Sequence, residues 1–137
     1  MTTECSIGLV RTDGQVVSIR VHRDGYPEHV APILLTHYNS FELAEQLIAL
    51  GELSDLDIRI GESGSDPDCC FAYHRDRGEL LHQYVQPNTI DHKKFMCNNS
   101  VRHNYVFIND RWYYFDRSGT VEFLDEHYAH IQEESSV

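Results

Sequence analysis

The sequence predicts an α+β domain: an antiparallel β-sheet of about five to seven strands, an αα-hairpin packed on one of its faces and a C-terminal helix. Three observations lead there. Two Val- and Ile-rich runs flank Asp13-Gly14, the strongest short signal for a hairpin. Apolar residues then recur at helical spacing between Val30 and Ile48, and an aromatic-rich stretch over 104–115 is broken by the turn pair Asn109-Asp110.

Residues 5–10 and 16–22 are expected to pair antiparallel around Thr12-Asp13-Gly14-Gln15. The turn His22-Arg23-Asp24-Gly25-Tyr26-Pro27-Glu28 follows, and Pro27 suits the first position of a helix, where a proline loses no needed N–H bond. Val30, Ile33, Leu34 and Tyr38 mark that helix, in which Pro32 is tolerable only near the first turn. Asn39-Ser40-Phe41-Glu42 resembles a capping box and opens a second helix, with Phe41, Ala44, Leu47 and Ile48 inward, Glu42 and Glu45 outward, and Gly51 as its stop. So short a connection predicts that the two helices pair as a hairpin. Residues 57–60 alternate like a brief strand, and 61–68, rich in Gly, Ser, Asp and Pro, read as a surface loop. Residues 69–75 and 79–85 read as two more strands, or as one strand and an irregular return, around Arg77-Gly78, and 89–97 as a short helix carrying Lys93 and Lys94. The last third is a meander: 104–108, 111–115 and a strand from Thr120, with Arg117-Ser118-Gly119 as the second turn. Leu124, Tyr128 and Ile131 then space a terminal amphipathic helix. Residues 1–132 are thus expected to form one domain, and 133–137 a frayed tail.

With 137 residues, 41 % apolar and 24 % charged, the chain can bury a core without metal or disulfide staples. Eleven Lys and Arg against 22 Asp and Glu give a net charge of −11. Such a balance disfavours a long polyanion as partner and favours a basic one. The acid is uneven: Glu42, Glu45, Glu52, Asp55, Asp57, Glu62, Asp66 and Asp68 face only Arg59 over residues 42–68. The plainer reading of such a stretch is an ordinary solvated surface. The longest apolar run, 30–35, is far too short to cross a bilayer, so no membrane partner is expected. The first residues lack the basic head and apolar stretch of a signal peptide, which points to a reducing, intracellular compartment with the cysteines as thiols.

The triplet His-Arg-Asp occurs at 22–24 and again at 74–76. An imidazole and a carboxylate two residues apart at a strand end can orient a general base, although Asp and Arg at turns more often satisfy backbone groups. His127 and His130, spaced i, i+3, could offer two nitrogens to a metal, but no third ligand is evident and His-Glu-x-x-His is absent. There is no Cys-x-x-Cys, nucleophile elbow, phosphate-cradling loop or dinucleotide fingerprint, so neither a cofactor nor a metal is expected.

Asp24-Gly25-Tyr26-Pro27-Glu28-His29-Val30, then Leu34-Leu35-x-His37-Tyr38-Asn39, Leu47-Ile48-x-Leu50-Gly51-x-Leu53-Ser54-x-Leu56 and Ala72-Tyr73-His74-Arg75-Asp76-Arg77-Gly78-Glu79 keep an order and spacing that resembles a family of small proteins encoded by tailed bacteriophages and prophages. The likeness covers residues 6–79, and the aromatic stretch 105–115 is similar to the family's Tyr-rich ending. It implies a context: an accessory protein in the cytoplasm of an infected bacterial host that neutralises a defence by binding. The expected activity is therefore non-enzymatic and anti-CRISPR-like. An acidic and aromatic surface of Asp55, Asp57, Glu62, Asp66, Asp68 and Tyr113 would meet a host protein with a basic surface, such as a nucleoprotein defence complex. The alternative is a sponge for a nucleotide signal, or a small hydrolase, built around His22, Arg23, Asp24, Tyr26, His74, Arg75, Asp76 and Arg77, with Tyr73 and Trp112 as further aromatics. Self-association through an edge strand is common for such a sheet, which makes a homo-oligomer an open expectation.

Overall fold

A computed structural model describes residues 3–86, 101–116 and 121–135. Its strands are β1 (Cys5–Val10), β2 (Val16–Val21), β3 (Leu53–Asp55), β4 (Phe71–Ala72), β5 (Tyr84–Gln86), β6 (His103–Ile108), β7 (Arg111–Asp116) and β8 (Val121–Phe123). The helices are α1 (Pro27–His37), α2 (Phe41–Ala49), α3 (Tyr73–Arg77) and α4 (Leu124–Ser135). All strands belong to one open sheet in the order β4-β3-β2-β1-β6-β7-β8, with β5 also on β2.

The sheet is mixed, which corrects the expectation of a purely antiparallel one. β1 pairs antiparallel with β2 but parallel with β6, and β2 runs parallel to β3. Alternating apolar residues specify that a strand forms, whereas its direction is set by the end at which the connection re-enters the sheet. After β2 the chain crosses through the helices and returns where β1 began, so His103 sits beside Cys5 and β6 runs with β1.

One face of the sheet carries the core. Cys5, Ile7 and Leu9, then Val17, Ile19 and Val21, then Tyr105, Phe107, Trp112 and Tyr114 point to that face and meet Val30, Leu34, Ala44, Leu47 and Leu124. The opposite face holds a smaller cluster of Val16, Val106, Ile108 and Phe115, beside a buried Ser6–Asn104 hydrogen bond of 2.6 Å. Most of the aromatic hairpin is therefore core material. Trp112 is sealed, and its indole N–H donates to the carbonyl of Tyr38 at 3.1 Å.

The helices begin as their sequence signals dictate. Pro27 opens α1, which continues through Pro32, and the Ser40 hydroxyl caps α2 by accepting from the Leu43 amide at 3.2 Å. The expected pairing of the two helices is corrected: α1 lies chiefly against α4, while α2 lies over β1 and β2. Two long-range bonds, from Trp112 to the Tyr38 carbonyl and from the Tyr38 hydroxyl to the Asp57 carbonyl, tie the junction to the rest of the domain.

The middle third departs most from expectation. Residues 57–60 form no strand; Arg59 makes a single bridge to Cys69, and the pairing falls instead on β3. Residues 69–75 contribute only the two residues of β4 before α3 begins, because the Asp76 carboxylate accepts from the Ala72 amide at 2.8 Å and closes a helical turn. Of 79–85, only Tyr84 and Val85 are in a strand. The expected helix at 89–97 and the turn at 117–119 lie outside the described residues.

Candidate functional site

The second His-Arg-Asp triplet lies in α3 rather than at a strand end, and it braces the acidic loop. Arg75 donates from Nη1 to the carbonyls of Ile60 (2.6 Å) and Gly61 (3.2 Å), and from Nη2 to that of Cys70 (2.7 Å). Its Nε and Nη2 also meet the Asp76 carboxylate, each at 3.1 Å. Asp76 accepts in addition from the Gly64 amide at 2.9 Å. Burial alone would raise the Asp76 carboxyl, but the hydrogen bonds from Arg75, Ala72 and Gly64 outweigh it and hold the group below the usual carboxylate range. Gly64 is required by this contact, since a Cβ there would stand 2.6 Å from the Phe71 ring and 2.8 Å from Asp76.

The loop itself is tightly bonded. Asp66 accepts from the amides of Glu62 and Ser63, and the Arg59 amide donates to the Asp68 carbonyl. Glu62 and Asp68 are exposed, whereas Asp55, Asp57 and Asp66 are half-buried. Tyr113 is not beside them. It lies on the opposite sheet face, packed on Phe115 and Phe123, and β7 is four strands from β3, about 19 Å at the usual strand spacing. The acidic and aromatic residues expected to form one surface are thus two separate regions.

The first triplet follows β2. His22 sits between two carboxylates, its Nδ1 3.1 Å from Glu4 and its Nε2 2.5 Å from Glu52, with its ring edge-on to Tyr73. That contact places the first triplet beside Tyr73, the residue before the second. Exposed Arg23 shares a shallow depression of about 350 Å³ with Asp55, Phe71, Tyr73 and Arg77, and Arg23 with Asp24 borders a second one beside Asp57 and Gly64. Arg77 is paired with Glu79 at 3.0 Å and lies over the Tyr73 ring. His74 bonds the Glu79 carbonyl through Nδ1. Neither His74 nor Asp76 is placed as a base with its orienting carboxylate, because each is taken up by backbone groups.

Tyr26 belongs elsewhere, to a cleft of about 700 Å³ between the start of α1, the ends of β6 and β7, and α4. That is the size of a ligand site. His103, Tyr114 and Asp116 form its floor: the Tyr114 hydroxyl donates to Asp116 at 3.0 Å and meets His103 Nδ1 at 2.5 Å. A hydroxyl has one proton, so with that proton on the Asp116 bond, His103 Nδ1 must be the donor. Burial and the adjacent Arg102 push the His103 imidazole below the ordinary histidine range. The ring of His127 stacks on Tyr114 at 4.1 Å, and its Nδ1 pairs with Glu122. Glu4 and Glu28 stand on the rim.

Sequence reasoning singled out His127 only as half of a metal pair, and His130 is exposed. Among the described residues no group of three or more His, Cys, Asp or Glu is placed to hold a metal ion, and no helix is long and apolar enough to cross a membrane. His103 and Asp116 were missed. The signal was the Asn109-Asp110 turn, whose hairpin register sets His103 opposite Asp116 and Tyr105 opposite Tyr114. Cys5 and Cys70 are buried free thiols, both pushed up by burial, and Cys69 is also buried and free. Against known protein families, curated proteins and solved structures, the chain finds no match.

Proposed function

We propose that the protein is a non-enzymatic binder whose acidic loop meets a basic surface on a host protein, such as a nucleoprotein defence complex, and antagonises that defence in the cytoplasm of an infected bacterium. One observation carries the binding part of this reading. The loop over 61–68 is pinned by Arg75 and Asp76, so its carboxylates are offered in a fixed arrangement, and a rigid surface loses less entropy on association than a floppy one. The phage context is supported by the resemblance of residues 6–79. The anion-rich surface also suits fast, steered encounter with a positive partner.

The test is protection of phage plating in strains carrying single defence systems, with direct binding to the purified complex that is neutralised. Glu62→Lys together with Asp68→Lys reverses two exposed charges and leaves the loop's internal bonds intact. Binding is expected to weaken at least tenfold, about 1.4 kcal/mol. Unchanged binding and protection would remove the acidic loop from the mechanism.

A second reading has its own observation, the depression holding Arg23, Arg77 and the Tyr73 ring. Guanidinium groups beside an aromatic ring suit a planar anion such as a nucleotide signal. It predicts a rise in melting temperature with cyclic or linear nucleotides that Arg77→Ala abolishes; a flat response across such a panel sinks it. Arg75, being spent on three carbonyls and Asp76, is not available for that role.

A further inference from the structure

The floor of the large cleft presents an acceptor with no donor. His103 is 8 % exposed and lines the cleft. Its Nδ1 is committed to the Tyr114 hydroxyl, and its Nε2 has no hydrogen-bond partner among the described residues, yet is not sealed from solvent. With Nδ1 carrying the proton of the neutral ring, Nε2 can only accept. A nine-tenths buried imidazole that lines a cavity, with a nitrogen that can only accept, is matched by a ligand that brings an N–H donor.

The surroundings give the donor's charge. Glu28 is on the rim, Asp116 on the floor and Glu4 alongside, against Arg102 as the one Lys or Arg among the described residues that line the cleft. An anion would meet these carboxylates, whereas a cation gains from them. Tyr26, 38 % exposed, offers a ring face at the same opening. A group with several N–H donors in one plane and a tendency to lie on aromatic rings fits this set better than a compact ammonium.

We propose that this cleft binds a guanidinium, the arginine side chain of the basic partner, with His103 Nε2 accepting on the floor and the Glu28 and Asp116 carboxylates beside it. The proposal rests on the reading that the partner is basic, and it names the group that anchors it. The cleft and a depression beside the acidic loop both border the 22–28 turn, with Tyr26, Pro27 and Glu28 lining the one and Arg23 and Asp24 the other. Tyr114 and Asp116 act here as positioning residues that fix which nitrogen of His103 is bare.

Among the described residues, the charged and titratable groups facing His103 include Arg102 on its own strand's approach, Asp116 on β7, Glu28 on α1 and His127 on α4. Protonation of His103 would remove the acceptor and add a like charge. Guanidinium binding should therefore fade as pH falls below the ordinary histidine range, through the lowered titration of His103.

The experiment is heteronuclear NMR on the full chain, titrated with methylguanidinium, methylammonium, methyl phosphate and a short arginine-containing peptide. At neutral pH without ligand, His103 is expected to show a protonated Nδ1 and a bare Nε2. Methylguanidinium and the peptide should shift His103, His127 and Tyr26, methylammonium less, and methyl phosphate not at all. Glu28→Gln, at an exposed position, should weaken the effect about three- to tenfold. Arg102→Ala should strengthen it, and Tyr114→Phe, which frees the His103 tautomer, should lose it while the fold persists. A proton found on Nε2, shifts confined to residues 61–68, or capture of phosphate instead would each overturn the proposal. These probes need no partner: if the cleft ignores guanidinium while the defence complex is still bound, only this inference falls.

Discussion

A methyl group at Gly25 has nowhere to go. Its Cβ would stand 2.7 Å from that of Cys5 and 2.8 Å from the β1 approach backbone, while the Gly25 amide donates to Thr3 and its carbonyl accepts from Tyr105. Gly25→Ala should cost about 1–3 kcal/mol, read as a lower urea midpoint at unchanged slope. Asp76 is the second residue on which much depends. Its carboxyl is held below its ordinary value of 3.8, so its contribution is complete at neutral pH and is lost as pH falls below about 4 through the lower folded value. Asp76→Asn leaves the Ala72 or Gly64 amide facing another donor and should cost about 1–3 kcal/mol. That variant should also show faster hydrogen exchange at residues 61–68 and a shallower loss of stability in acid. If Asp76→Asn left the protein as acid-sensitive as before, the carboxylate would not be what fails.

At the scale of elements, α2 is the cleanest local solution. Its N-terminus rests on the Ser40 hydroxyl, and Ser40→Ala should destabilise the fold by about 1 kcal/mol, measurable by chemical denaturation. The β1–β2 hairpin, α1 from Pro27, α2 from Phe41 and the β6–β7 hairpin were all legible because each is set by residues close in sequence. α3 was not. Five residues carry no periodicity, and what holds them is the docking of Arg75 and Asp76 on backbone groups up to 15 residues away. The same triplet at 22–24 stays at a strand end, so identical letters take different roles according to which backbone stands nearby.

At the scale of the whole molecule, a net charge of −11 makes its encounters sensitive to salt. Its association rate with a basic partner should fall as salt rises from about 0.05 to 0.5 M, because the screening length shrinks below about 10 Å, and dissociation should change far less. A rate indifferent to salt would place the contact on apolar surface. The candidate regions were legible only in part. The acidic stretch could be read from composition, but Tyr113 could not be placed relative to it, since alternation assigns a residue to a face without giving the strand order that separates it from the acids.

Sequence alone determined the two hairpins, the starts of the first two helices, the inward and outward alternation and the sign of the charge, because turn chemistry, helix period and net charge are local or additive quantities. Tertiary structure decided the rest: the parallel pairing of β6 with β1, the companionship of α1 with α4, and the meeting of His103, Tyr114, Asp116 and His127 in one cleft. Those depend on where a connection of some 80 residues re-enters the sheet, and the energy that settles it is spread over a core no short window of sequence contains.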